Sequence, residues 1–140
     1  MKDSDSDMSF ILMPGDLVAH DVCLDPDDPS KGNYDLLKKT LSTVSQTVAS
    51  YFPNTLVLPT LGNNDPKYHY QGLNKQDKEE YYSFLFDAWF STLPKNARLP
   101  ELATIKQTFR NGGYYRVDID SKLSVLALNT LYWNAENDDS

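Results

Sequence analysis

Two short runs in this 140-residue sequence end in a glycine followed by a hard oxygen donor. The first is Phe10-Ile-Leu-Met-Pro-Gly15-Asp16, and the second is Leu58-Pro-Thr-Leu-Gly62-Asn63-Asn64-Asp65. A carboxylate and a side-chain amide oxygen are ligands of the kind that divalent cations take. A helix-like stretch lies between the runs. The order strand, helix, strand then favours a right-handed crossover between two neighbouring parallel strands. Their C-terminal ends would present Asp16 and Asn63 at one sheet edge, where open α/β folds carry their sites. The pattern therefore predicts a metal-site geometry. Taken singly, an aspartate after glycine reads as a turn or helix cap and Asn63-Asn64-Asp65 as a polar turn. The two together turn the reading toward chemistry.

The elements that must position these residues follow from periodicity and turn chemistry. Residues 9–13 are a continuous apolar run, as in a parallel strand covered on both faces, and Pro14-Gly15 ends it. The segment 25–33 is rich in turn formers and broken by proline, so it reads as an exposed loop. Its acidic residues lack the spacing of a calcium loop. Leu37, Leu41, Val44, Val48 and Tyr51 recur at helical intervals and mark one face of a helix over 34–52. A second strand over 55–58 follows the Pro53-Asn54 turn, and 62–74 reads as a loop. Asn74 can cap a second helix with Asp77 three positions on, its buried stripe being Tyr82, Leu85, Phe86, Trp89 and Leu93. Pro94 stops that helix. A third is expected over 100–110, with Pro100 at its first position and Gly112-Gly113 past its end. The period then changes to that of strands over 114–119 and 123–131, which reads as a hairpin appended to the parallel sheet. The expected fold class is thus α/β: a parallel βαβ unit, a helical segment and a β-hairpin. Residues 1–8 and 135–140 read as disordered and frayed tails around a domain over 9–134.

Composition narrows the function. With 40% hydrophobic and 12% aromatic residues the chain can bury a core, and its length fits one domain. Thirteen basic against twenty acidic residues give a formal net charge of −7, which argues against non-specific nucleic-acid binding and means that a polyanionic substrate would need bound cations. No apolar run approaches the ~20 residues of a bilayer span. The start, Met-Lys-Asp-Ser-Asp-Ser-Asp, lacks the apolar stretch of a signal peptide. A single cysteine, Cys23, cannot form an internal disulfide. No glycine-rich phosphate loop follows a strand, because Gly112-Gly113 precedes one, and this disfavours a nucleotide-binding domain.

With Gly15-Asp16-Leu-Val-Ala-His20-Asp21, then Gly62-Asn63-Asn64-Asp65, then Phe109-Arg-Asn-Gly-Gly-Tyr-Tyr-Arg-Val and Leu126-Ala-Leu-Asn-Thr-Leu-Tyr-Trp, the chain resembles the calcineurin-like metallophosphoesterases. Within them it is similar to the acid-sphingomyelinase-like branch. Gly-Asn-Asn-Asp in place of Gly-Asn-His, and a histidine placed like His69, resemble endopolyphosphatases in particular. The resemblance covers roughly residues 9–134 and implies part of an α/β sandwich. It implies two divalent metal ions (Zn, Mn, Fe or Mg), with Asp16 as the carboxylate that bridges them and Asn63 as a ligand to one. A water activated between two cations would attack phosphorus in a phosphate-containing small molecule or polyphosphate. The position after the ligand asparagine usually holds a histidine that protonates the leaving oxygen. Here it is Asn64, which can donate a hydrogen bond but no proton. His20 and His69 are the only histidines and so the only imidazole candidates for that role. Against this, a hydrogen-bonded surface residue is the plain reading of His20, and a loop packing residue that of His69 between Tyr68 and Tyr70. The family's vacuolar, lysosomal or extracellular settings are implied in the same way.

The sequence departs from the family in two places. The family supplies an Asp-x-His strand before the Gly-Asp block and ends with Gly-His-x-His, whereas no histidine here precedes Asp16 or follows His69. One aspartate and one asparagine chelate weakly, since affinity depends on ligand number and charge. The reading is therefore of a fragment of a larger frame, with uncovered sheet edges that invite self-association. A non-catalytic remnant or binding module that keeps the fold is the alternative.

Overall fold

A computed structural model describes residues 9–20, 34–66, 73 and 75–135. The elements run β1 (Phe10–Met13), α1 (Tyr34–Tyr51), β2 (Leu56–Pro59), α2 (Lys75–Phe86), a π-helical turn (Asp87–Ser91), a 3-10 turn (Asn96–Arg98), α3 (Leu102–Gly112), β3 (Tyr115–Asp118), β4 (Ser124–Ala127) and a 3-10 turn (Thr130–Trp133). The tails 1–8 and 136–140, the loop 25–33 with Cys23 before it, and the Asn74 cap lie outside the described residues.

The βαβ unit forms as expected. β1 and β2 pair in parallel with Phe10 opposite Leu56 and Met13 opposite Pro59, and the Thr60 N–H extends the ladder to the Met13 carbonyl at 2.8 Å. All four β2 residues are buried. β1 is not covered throughout, because Leu12 is 60% exposed; Met13 is buried, and Phe10 and Ile11 are half-buried against the core. α1 turns Leu37, Leu41 and Ser45 into the core, with Val44 and Val48 half-buried. Tyr51 does not join that face: it stands 72% exposed at the last turn. Buried Ser45 is accommodated because its hydroxyl donates to the Leu41 carbonyl at 3.0 Å, the back-bonding that lets a hydroxyl sit inside a helix.

The aromatic stripe is the core, as its spacing predicts. Tyr82, Leu85, Phe86, Trp89 and Leu93 are all buried. Phe109 of α3 sits at the centre, with the rings of Tyr82, Trp89 and Phe90 edge-on to it at 5.8–5.9 Å and Phe86 and Tyr115 tilted at 6.0–6.3 Å. The second helix does not remain α-helical to Pro94. It widens into the π turn, and there Ala88, Trp89 and Phe90 are buried side by side, a packing that a uniform 3.6-residue turn would split between faces. α3 begins at Leu102 rather than Pro100. Gly112 belongs to it, and Gly113, at φ 69°, closes it with its N–H on the Phe109 carbonyl at 2.7 Å.

The hairpin exists, with Tyr115 opposite Ala127 and Asp118 opposite Ser124, but it forms its own two-stranded sheet rather than extending the parallel one. Its second strand ends at Ala127, and Thr130–Trp133 turn as a 3-10 segment where a strand to 131 was expected. The link between the sheets is a side chain: the buried Tyr115 hydroxyl donates to the Pro59 carbonyl at 2.7 Å.

Asn96 makes a related contact. Its amide oxygen accepts the Val57 N–H at 3.0 Å and its nitrogen donates to the Val57 and Trp89 carbonyls at 2.6 and 3.2 Å. The side chain thereby acts as a neighbouring strand for the edge of β2 that β1 leaves open. Replacing it (Asn96→Ala) strands these buried backbone groups, and the expected loss is about 2–4 kcal/mol of unfolding free energy in a urea titration.

Candidate metal centre at the ends of the parallel strands

The loops leaving β1 and β2 are in direct backbone contact. A Cβ on Gly15 would lie 2.1 Å from the Gly62 nitrogen, and one on Gly62 would lie 2.2 Å from the Asp16 Oδ1. Gly15 (φ 95°) and Asp16 (φ 53°) both occupy the left-handed region. That conformation costs a non-glycine residue about 1–2 kcal/mol, so Asp16 must be held in it.

The hold comes from Asp65. Its side chain is fully buried; Oδ2 accepts from the Asp16 and Gly62 N–H groups and Oδ1 from the Leu17 N–H, all at 2.8 Å. The Tyr81 hydroxyl of α2 donates to the Asp65 carbonyl. Burial raises the Asp65 carboxyl above the ordinary aspartate range; the three N–H donors pull it back and the Asp16 charge adds to the rise. Because the folded-state value is the higher one, folding favours the protonated form. Its contribution to stability is full below the ordinary aspartate pKa and is lost as pH rises through the raised value.

Asp16 is exposed, and its Oδ1 accepts the Asn64 N–H at 3.0 Å. The Asn63 Nδ2 donates to the Asn64 Oδ1, also at 3.0 Å; of the two amide atoms it is the oxygen that is of the metal-ligating kind. Asn63 lines a cleft of about 360 Å³ together with Pro14, Leu61, Gly62, Thr130, Leu131 and Asn134. Leu131 of that lining is held by buried Asn129, which accepts the Leu131 N–H at 3.2 Å and donates to the Tyr82 hydroxyl at 3.1 Å and the Gly112 carbonyl at 3.2 Å.

Asp16, Asn63 and Asn64 are thus brought together. His20 is exposed four residues beyond Asp16 on the same loop. His69 and Asp21 lie outside the described residues. Asp65, Tyr81 and Asn129 are supports that the sequence reading missed. Asp65 carried a signal only as the last letter of Gly-Asn-Asn-Asp and Asn129 only as a member of the Leu126-Ala-Leu-Asn-Thr-Leu-Tyr-Trp block, while Tyr81 had none beyond its place in a helix.

The donor types suit a hard divalent cation, and the two oxygens sit on adjoining loops. The number does not suit a complete two-metal centre, for no group of three or more His, Cys, Asp or Glu is placed to hold a metal among the described residues.

Comparison with known proteins gives relatives by sequence. Its curated relatives are sphingomyelin phosphodiesterase-like proteins, members of the calcineurin-like metallophosphoesterases. It is 27% identical to the sphingomyelinase phosphodiesterase D of Dictyostelium discoideum over 139 residues, 98% of this chain and 26% of that protein. It is 30% identical to the cyclic GMP-AMP phosphodiesterase SMPDL3A of Mus musculus over 136 residues, 95% of this chain and 27% of that protein. Identity to the Homo sapiens protein of the same name is 27% over 136 residues. The chain spans about a quarter of the length of these relatives. No family model matches it.

Contact between the loops is expected to fail when either glycine gains a methyl group. Gly62→Ala should lower stability by about 2–4 kcal/mol in a thermal or urea melt, since the added carbon overlaps both the Asp16 carboxylate and the backbone beneath it.

Proposed function

We propose that this chain is a segment of a metal-dependent phosphodiester hydrolase, with Asp16 and Asn63 as ligands to divalent cations. The observation that carries the reading is the juxtaposition of Asp16 and Asn63 on touching loops at the C-terminal ends of two parallel strands. The relatives' names, a sphingomyelinase phosphodiesterase and a cyclic GMP-AMP phosphodiesterase, support a phosphodiester as the substrate class. Polyphosphate is a further substrate in this reading, on the endopolyphosphatase-like Gly-Asn-Asn-Asp. Zn, Mn, Fe or Mg would serve as the metal, and a vacuolar, lysosomal or extracellular setting follows from the same family. No helix among the described residues is long and apolar enough to cross a membrane.

Bound divalent ions would supply acidification of a water and neutralisation of phosphoryl oxygens. The chain's own residues do the rest. Asp16 and Asn63 hold charge and geometry, and the Asn64 N–H fixes which Asp16 oxygen faces inward. Asn64 stabilises a leaving oxygen by hydrogen bonding without giving up a proton, so protonation falls to His20, or to His69 beyond the described residues. The cleft beside Asn63 is of a size that receives a small phosphate ester.

A second reading has its own support. With two ligand-type side chains at the site and no larger cluster among the described residues, the chain would be a non-catalytic fragment or binding module. In either reading the edge of β1, which pairs with β2 alone among the described residues, and the exposed Leu12, Leu126 and Leu128 favour self-association or burial against further polypeptide.

The two readings part in one assay: hydrolysis of bis(p-nitrophenyl) phosphate and of polyphosphate by the purified chain with Mn²⁺, Zn²⁺ or Mg²⁺, with Asp16→Ala alongside. The hydrolase reading expects metal-dependent turnover that Asp16→Ala reduces by roughly 100-fold or more. A folded chain that turns over neither substrate with any metal establishes the non-catalytic reading.

A further inference from the structure

We propose that Asp65 is the positioning residue of the metal centre: a buried carboxylate that ties the two ligand loops together and fixes Asp16 against Asn63 while binding no cation itself. The inference rests on the hydrolase reading for its purpose, but on geometry alone for its existence.

The carboxylate spans a sequence separation that no local turn could explain. Its three donors come from Asp16 and Leu17 on one loop and Gly62 on the other, 48 or 49 residues apart for the long-range pair. Both oxygens are occupied by backbone N–H groups and the side chain has no exposed surface, so its remaining lone pairs face protein rather than a cation. The contacts also form a closed circuit. Asp65 holds the Asp16 backbone in its left-handed conformation; that backbone aims the Asp16 Oδ1 at the Asn64 N–H; Asn64 is the residue that precedes Asp65 and accepts from Asn63. Shifting any one member moves both ligand oxygens. Behind the circuit, Tyr81 anchors the Asp65 carbonyl to α2 and hence to the aromatic core. Preorganised ligands need such support, because a site a fraction of an ångström too loose loses affinity steeply.

Asp65→Asn is the test, since it preserves shape while placing an NH₂ group where N–H donors already point. Two readouts are needed: amide hydrogen exchange by NMR, and Mn²⁺ binding followed by electron paramagnetic resonance. The expected result is faster exchange at Asp16, Leu17 and Gly62 with α1 and α3 unchanged, and Mn²⁺ affinity weakened by roughly 10–100-fold. Asn96→Ala is the control: it weakens the fold at a distance from the loops and should leave Mn²⁺ affinity within about twofold under folding conditions. Equal exchange at the three amides in Asp65→Asn and the parent overturns the brace. Altered exchange with unchanged Mn²⁺ affinity overturns its positioning role. Should the parent chain bind no Mn²⁺ at all, the metal reading fails, and the exchange data alone decide whether the brace exists. Should Asp65→Asn not fold, Tyr81→Phe keeps the carboxylate and removes its rear anchor. Exchange at the same three amides should then rise by about threefold or more, and no change there overturns the inference.

Discussion

The site depends on two backbones meeting without side chains between them. Gly15 and Gly62 approach so closely that either one, given a Cβ, would drive its carbon into the other loop. The arrangement of the candidate site follows from that closeness. It brings Asp16 within reach of the Asn64 N–H, lets one carboxylate serve donors from both loops, and puts Asn63 at the wall of a cleft rather than on open surface. A cation between the loops would meet oxygens already arranged, with little of the ordering loss that flexible ligands suffer.

The scaffold behind this contact is aromatic. Phe109 gathers rings from α2, the π turn and β3, while Asn96 and Tyr115 connect that cluster to β2. Two buried amides each serve several partners. The Asn96 amide satisfies three backbone groups, and the Asn129 amide reaches three partners on three segments. Such contacts penalise alternative packings, because a buried polar group that loses its partner is costly. By contrast the outer faces of β1 and β4 carry exposed leucines, a composition suited to contact rather than to water.

Much of this was legible in the residues, for identifiable reasons. Parallel pairing of β1 with β2 followed from two apolar runs around a strongly periodic helix, and the buried stripe of α2 from aromatic spacing. Asp16 and Asn63 were legible because their glycines mark positions where a chain must come close to something. Three features were not. The π turn keeps the same apolar residues as an α-helix and differs only in winding, which periodicity does not resolve. Leu12 and Tyr51 are apolar letters on faces that this chain leaves open, and pattern alone cannot tell a covered face from an uncovered one. Asn96, Asp65 and Asn129 act across long sequence separations, and a single polar letter carries no record of a partner dozens of residues away.

The capped flank of β2 has a consequence of its own. In a parallel strand the outward-pointing groups alternate, so Leu56, Leu58 and Thr60 look toward β1 while Val57 and Pro59 look the other way. On that far side Asn96 takes both groups of Val57, Tyr115 takes the Pro59 carbonyl, and proline has no N–H to offer. The ladder is therefore polarised. Among the described residues β1 pairs with β2 alone, so a further strand would find its template at β1 and none beyond β2. Among the described residues, the flank of β2 that faces away from β1 is closed to pairing.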